Sequence, residues 1–127
     1  MYSPAVWKHS REPQNRGPLP SANAQGQSSF KKCGDSFQLE LRIHQGQILE
    51  ARFQARACAP VVAMGSIGTQ LLRGLTVEQA RQLLPTRLDQ ALGGVPTTKR
   101  HAILMFLEAL HQGLDQYENE ENRHVEM

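Results

Sequence analysis

Two runs in the first half of the chain alternate apolar and polar residues with a period of two. Phe37, Leu39, Leu41 and Ile43 alternate with Gln38, Glu40, Arg42 and His44. Leu49, Ala51, Phe53 and Ala55 alternate with Glu50, Arg52, Gln54 and Arg56. Successive strand side chains point to opposite faces, so each run predicts a strand with one buried face. Gln45-Gly46-Gln47 separates them as the turn of a hairpin, with Gly46 free to take a positive φ. Opposed residues share a face, so apolar must meet apolar. Two registers satisfy this. One pairs Leu41 with Leu49 and Phe37 with Phe53; the other pairs Leu39 with Phe53 and Ile43 with Leu49.

Beyond the hairpin the period lengthens. Val61, Met64, Ile67, Gly68, Leu71 and Leu75 recur at helical spacing after Pro60, which suits the first turn of a helix. Thr76 and Gln79 have the spacing of a capping box for a helix to Leu83. Pro85 to Leu92 adds another turn before Gly93-Gly94. From Pro96-Thr97-Thr98 a last helix is expected, with Ile103, Phe106, Leu107, Leu110 and Leu114 as its apolar stripe to about Tyr117. Pro4 to about His9 reads as a short helix. Arg11 to Ser29 is loop, with a short edge strand near Gln25 to Lys31. Residues 118–127 are mostly polar and are expected to fray as a tail on a single domain of residues 1–117. A strand hairpin followed by several helices gives an α+β fold, with helices packed on one face of a small antiparallel sheet.

Composition narrows the function. At 127 residues the chain makes one domain with a modest core. A formal net charge of +2, with no basic run interleaved with aromatics, does not point to nucleic acid. No apolar stretch is long enough to span a membrane. The polar start, with Pro4, Lys8 and His9, is not a signal peptide, so a cytoplasmic location is expected. Thiols stay reduced there, and a Cys33–Cys58 disulfide is disfavoured. No serine–histidine–acid order and no phosphate-binding loop is present, so no enzyme activity is expected.

The chemistry lies in a few scattered residues. Cys33 and Cys58 are the two cysteines. Either hairpin register returns Cys33 to the neighbourhood of Cys58, at the end away from the turn, with Asp35 beside them. Thiolate, carboxylate and imidazole are ligand types that zinc and iron accept. Cys58 falls at a strand-to-helix junction, where the positive helix end is expected to lower its pKa; a buried structural cysteine is the plain alternative. His101 falls in the first turn of the last helix. His9, His44, His111 and His124 show no ligand spacing.

A series of segments resembles one family. Tyr2-Ser3-Pro4, Val6, His9, Arg11, Pro13, Asn15 and Gly17 come first, then Cys33-Gly34-Asp35. Glu50-Ala51-Arg52-Phe53, Ala57-Cys58-Ala59 and Leu75 to Ala80 follow, and Val95 to Ala102 closes the series. Taken in order, these resemble the iron–sulfur cluster assembly scaffolds of the IscU type and the amino-terminal domain of the NifU type. The resemblance covers about Tyr2 to Leu114.

It implies the IscU/NifU-like scaffold fold and a site in which Cys33, Asp35, Cys58 and His101 bind the cluster or metal. It also implies a cysteine desulfurase as sulfur donor and acceptor apoproteins as recipients. Ala102 stands where the family has its third cysteine. Of the family's chaperone-recognition loop only Pro96 and Lys99 remain. The expected function is a scaffold or carrier for a labile, two-iron iron–sulfur cluster, since histidine can replace cysteine as a cluster ligand. The alternatives are a diverged homologue with a single zinc or iron ion in a structural or regulatory role, and a metal-free interaction module.

Overall fold

A computed structural model of the chain describes residues 2–126. Three antiparallel strands, β1 (Ala24–Phe30), β2 (Asp35–His44) and β3 (Gln47–Arg56), form a sheet in sequence order. The helices are α1 (Pro4–Arg11), α2 (Ala59–Leu72), α3 (Val77–Arg81), α4 (Pro85–Ala91) and α5 (His101–Glu126), with a 3-10 turn over Thr97–Lys99.

Phe37, Leu39, Leu41 and Ile43 of β2 face the core, as their alternation requires. Leu39 pairs with Phe53, which selects the second of the two registers. That register fails at its last pair. A bulge between Arg42 and Ile43 sets Ile43 opposite Ile48 rather than Leu49. Ile48 is consequently buried and Leu49 is 40% exposed. Alternation could not reveal this, because Ile48 and Leu49 are both apolar and one extra residue exchanges their faces. The turn is two residues long, with both Gln45 and Gly46 at positive φ, and Gln47 already pairs with His44.

α5 lies along β1 and β2, and α2 lies on β3 beside α5. Glycine permits the closest approach. A Cβ at Gly26 would stand 1.9 Å from the Ala109 carbonyl oxygen. α2 is buried from Pro60 to Ser66 because the sheet lies under it and α1 packs over it. Its two hydroxyls fasten the N-terminal segment. Ser66 Oγ accepts from the Gln14 amide at 2.8 Å and meets His9 Nδ1 at 2.7 Å, and Asn15 Nδ2 donates to Thr69 Oγ1 at 3.1 Å.

Both sheet edges are covered. On β1, Gln116 and Gln112 of α5 accept the amides of Gln25 and Gln27 at 2.8 and 2.7 Å. On β3, Asn15, Gly17, Gly74 and Leu75 take the free backbone groups of Phe53 and Ile48. Such covering shortens the unpaired edges that invite association with another chain.

Three helix boundaries differ from expectation. α2 ends at Leu72, and the last helix begins at His101, after the 3-10 turn. Its far end lies beyond Tyr117. α5 continues to Glu126, and Arg81 of α3 binds Asp115 at 2.7 Å and Glu118 at 3.0 Å. The apolar stripe stops earlier because residues 118–123 face solvent, and Met127 lies outside the described residues.

Candidate metal centre

Asp35 opens β2 and pairs with Phe30, the last residue of β1. The turn between them carries Cys33, whose amide donates to the Phe30 carbonyl at 3.2 Å. The next pair along, Ser36 with Arg56, brings the end of β3 alongside Asp35. Cys58 follows as the N-cap of α2, with Pro60 in its first turn. His101 arrives on the first residue of α5. Four remote residues therefore meet at the end of the sheet away from the Gln45-Gly46 turn.

The Asp35 carboxylate is the centre of the cluster. Its Oδ1 accepts the Cys58 amide at 3.3 Å and its Oδ2 accepts the Cys58 thiol at 3.3 Å. The same Oδ2 lies 3.1 Å from His101 Nε2, and Cys58 Sγ lies 3.8 Å from that nitrogen. Asp35 is 5% and His101 9% exposed. A buried carboxylate needs such partners to offset its loss of water. Ligand atoms of Cys33, Asp35 and His101 lie within 4.8 Å of one another, and Cys33 is exposed on its turn.

These separations suit a metal. A tetrahedral ion bound at about 2.0–2.3 Å has ligand-to-ligand edges of roughly 3.3–3.8 Å. The Cys58, Asp35 and His101 atoms are already 3.1–3.8 Å apart. Small shifts would admit an ion among them, and the Cys33 thiol lies within 4.8 Å of the Asp35 and His101 ligand atoms.

The thiol chemistry differs from expectation. Burial pushes the Cys58 thiol up, and the Asp35 hydrogen bond and charge push the same way. The Val61 amide at the helix start and the Lys99 charge pull it down but do not prevail. The helix end acts as expected; desolvation outweighs it. Without metal, Cys58 is thus a hydrogen-bonded thiol that a bound cation would deprotonate.

Sequence reasoning missed Phe30, whose ring stacks on His101 with centroids 4.3 Å apart and planes 12° from parallel. Its place on the ragged end of a polar strand gave no signal. Ala102, beside His101, is fully buried in the hydrophobic core. Lys99 is the cation whose charge acts on the Cys58 thiol, while Arg100 leans toward Asp89 at 3.8 Å.

A small α+β domain with a thiol–carboxylate–imidazole cluster at one end of its sheet defines a recognisable class. The chain belongs to the family described as NifU-like N terminal domain, whose model matches residues 1–124. It is 30% identical over 117 residues to an iron-sulfur cluster assembly scaffold protein IscU of Archaeoglobus fulgidus, covering 92% of this chain and 76% of that protein. It is 40% identical over 106 residues to the nitrogen fixation protein NifU of Cereibacter sphaeroides, covering 84% of this chain and 43% of that protein. Among solved structures, an iron-sulfur cluster assembly scaffold protein for the SUF system from Fervidobacterium islandicum superposes with a TM-score of 0.70. That likeness covers 89% of this chain and 96% of the other at 17% identity, and it speaks to the fold.

Proposed function

We propose that this protein is a scaffold or carrier that transiently holds an iron–sulfur cluster as cargo and passes it to acceptor proteins. The observation that carries the reading is the convergence of Asp35, Cys58 and His101 within 3.1–3.8 Å, with the exposed Cys33 beside them. Family membership and the names of the relatives support it.

Cys33 and Cys58 would supply thiolates, and His101 and Asp35 the remaining ligands. Sulfur would come from a cysteine desulfurase: the exposed Cys33 thiolate would take the outer sulfur of its persulfide, releasing the donor's thiolate, and an external two-electron reductant would convert that sulfur to the sulfide of the cluster. The Lys99 charge, which already acts on Cys58, would offset part of the negative charge that thiolates and sulfide bring to a half-buried place. With two cysteines available, the bound cluster is the labile, two-iron kind. The site binds and releases rather than catalyses, and it operates in the reducing cytoplasm.

A second reading has its own support. The short separations around Asp35 fit one ion as well as a cluster, so a single zinc or iron in a structural or regulatory role is the alternative.

Anaerobic reconstitution with iron and sulfide, followed by visible absorption and metal analysis, tests both. The scaffold reading expects charge-transfer bands that fade as an apo-acceptor gains its cluster. Stoichiometric colourless zinc in the protein as isolated, with no bands after reconstitution, would establish the single-ion reading. Absence of any bound metal would refute both.

A further inference from the structure

We propose that Phe30 is a positioning residue of the metal centre, acting through His101. The inference rests on the reading above, in which His101 is a ligand.

Phe30 touches the centre in three ways. Its ring lies flat on the His101 imidazole, with centroids 4.3 Å apart and an interplanar angle of 12°. Its carbonyl accepts the Cys33 amide at 3.2 Å. Its Cα partner across the sheet is Asp35. One residue at the end of β1 thus fixes the turn that carries Cys33, faces the strand start that carries Asp35, and covers a face of the third group.

The stack matters most for His101. As the first residue of α5, His101 follows a 3-10 turn. Its backbone is therefore held less firmly than in mid-helix. The imidazole still needs one orientation, with Nε2 toward Asp35 Oδ2 and Cys58 Sγ. The Asp35 contact fixes one atom of the ring. The ring, tethered at Cβ, can still swing its plane about the line joining Cβ to that atom. A flat aromatic against one face removes the swing and keeps water from that side. Groups that orient a ligand without binding the metal govern affinity in this way.

The roles divide chemically. The Phe30 backbone acts on Cys33 through a carbonyl that any residue would supply. The side chain acts on His101 and requires a planar ring. Substitution at this position therefore isolates the imidazole contact. Phe30→Leu keeps apolar bulk and loses the flat face, whereas Phe30→Tyr keeps the face.

Cobalt(II), added anaerobically to the intact chain, is the probe. Its ligand-field bands report tetrahedral geometry, and chelator competition gives its affinity. Phe30→Leu is expected to weaken cobalt binding by about tenfold, the low end for residues that orient a ligand, and to dim the tetrahedral bands. Phe30→Tyr should stay within about twofold of the parent, since the stack survives. In a His101→Ala background, Phe30→Leu should cost nothing further, because the residue acts through the imidazole. If Phe30→Leu disturbs folding, Phe30→Met, flexible and close in volume, carries the same comparison. Equal affinity for the parent and Phe30→Leu overturns the proposal. An equal loss with and without His101 also overturns it, by showing a merely structural effect. Cobalt binding that is unchanged by His101→Ala removes His101 as a ligand, and the proposal with it. A parent that binds no cobalt overturns the metal-centre reading itself.

Discussion

Gly65→Ala and Gly113→Ala make the same chemical change inside two helices and should move stability in opposite directions. Alanine is the better helix former by about 1 kcal/mol, which favours both variants. At Gly113 the new Cβ would lie 3.4–3.6 Å from the Gln25 and Gly26 backbone, an ordinary contact. At Gly65 it would lie 2.5–2.7 Å from three carbons of the Phe53 ring. Ordinary packing would require the ring or the helix to retreat by roughly 1 Å. Phe53 has nowhere to go. It is fully buried, its ring stacks near Phe37 at 5.7 Å, and its backbone is bonded to Asn15 and Gly17. Overpacking of this kind costs about 1–3 kcal/mol, and an immobile partner puts Gly65 at the upper end. The net expectation is a loss of about 2 kcal/mol for Gly65→Ala and a gain of about 1 kcal/mol for Gly113→Ala. For a chain of this size, these correspond to melting shifts of about −8 °C and +4 °C. Because Cys58 caps the same helix, Gly65→Ala should also weaken zinc binding, whereas Gly113→Ala should not. Thermal melts of the metal-free proteins, with zinc titration against a chelator, provide the measurement. Melting shifts of the same sign in both variants would refute the packing argument.

Added zinc should stabilise the fold above about pH 7 and do little near pH 5, because protons compete for the thiolates and the imidazole; a stabilisation equal at both pH values, or one that survives Cys58→Ser, counts against these ligands. Without metal, the raised Cys58 pKa means the native state holds a proton that the unfolded chain gives up near its ordinary value of 9.0. That contribution is intact below about pH 9 and is lost as pH rises through the folded value, so melting temperature should fall on the alkaline side, and Cys58→Ala should flatten the fall. Restoring a third thiol with Ala102→Cys should lengthen the lifetime of a reconstituted cluster under chelator and slow its transfer, followed by decay of visible absorbance; an unchanged lifetime would show that this buried position does not reach the centre.

Local patterns were legible because their causes are local. Alternation marked β2 and most of β3, since a strand side chain's face depends on its neighbours two residues away. The Thr76 capping box forms as read, with Thr76 Oγ1 accepting the Gln79 amide at 3.1 Å and Gln79 Oε1 accepting the Thr76 amide at 2.9 Å. The approach of Cys33, Asp35 and Cys58 followed from hairpin closure alone, whichever register held. The order of motifs identified the family and brought in His101.

Other features are set by residues that are not neighbours in sequence. The bulge after Arg42 exchanges the faces of Ile48 and Leu49, and packing of the whole sheet decides between two equally apolar side chains. The Cys58 thiol is raised rather than lowered because burial and Asp35 outweigh the helix end, a balance between environment and local dipole. α5 outlasts its apolar stripe, and Arg81, remote in sequence, meets Asp115 and Glu118 along it. Phe30 finds His101 across more than half the chain. Sequence alone determined the strands, the starts of the helices that open on Pro4, Pro60, Thr76 and Pro85, and a set of candidate ligand groups, because backbone preference and side-chain period act over a few residues. Tertiary structure decided which face, which protonation and which orientation, because desolvation, charge and ring stacking act between whatever the fold places side by side.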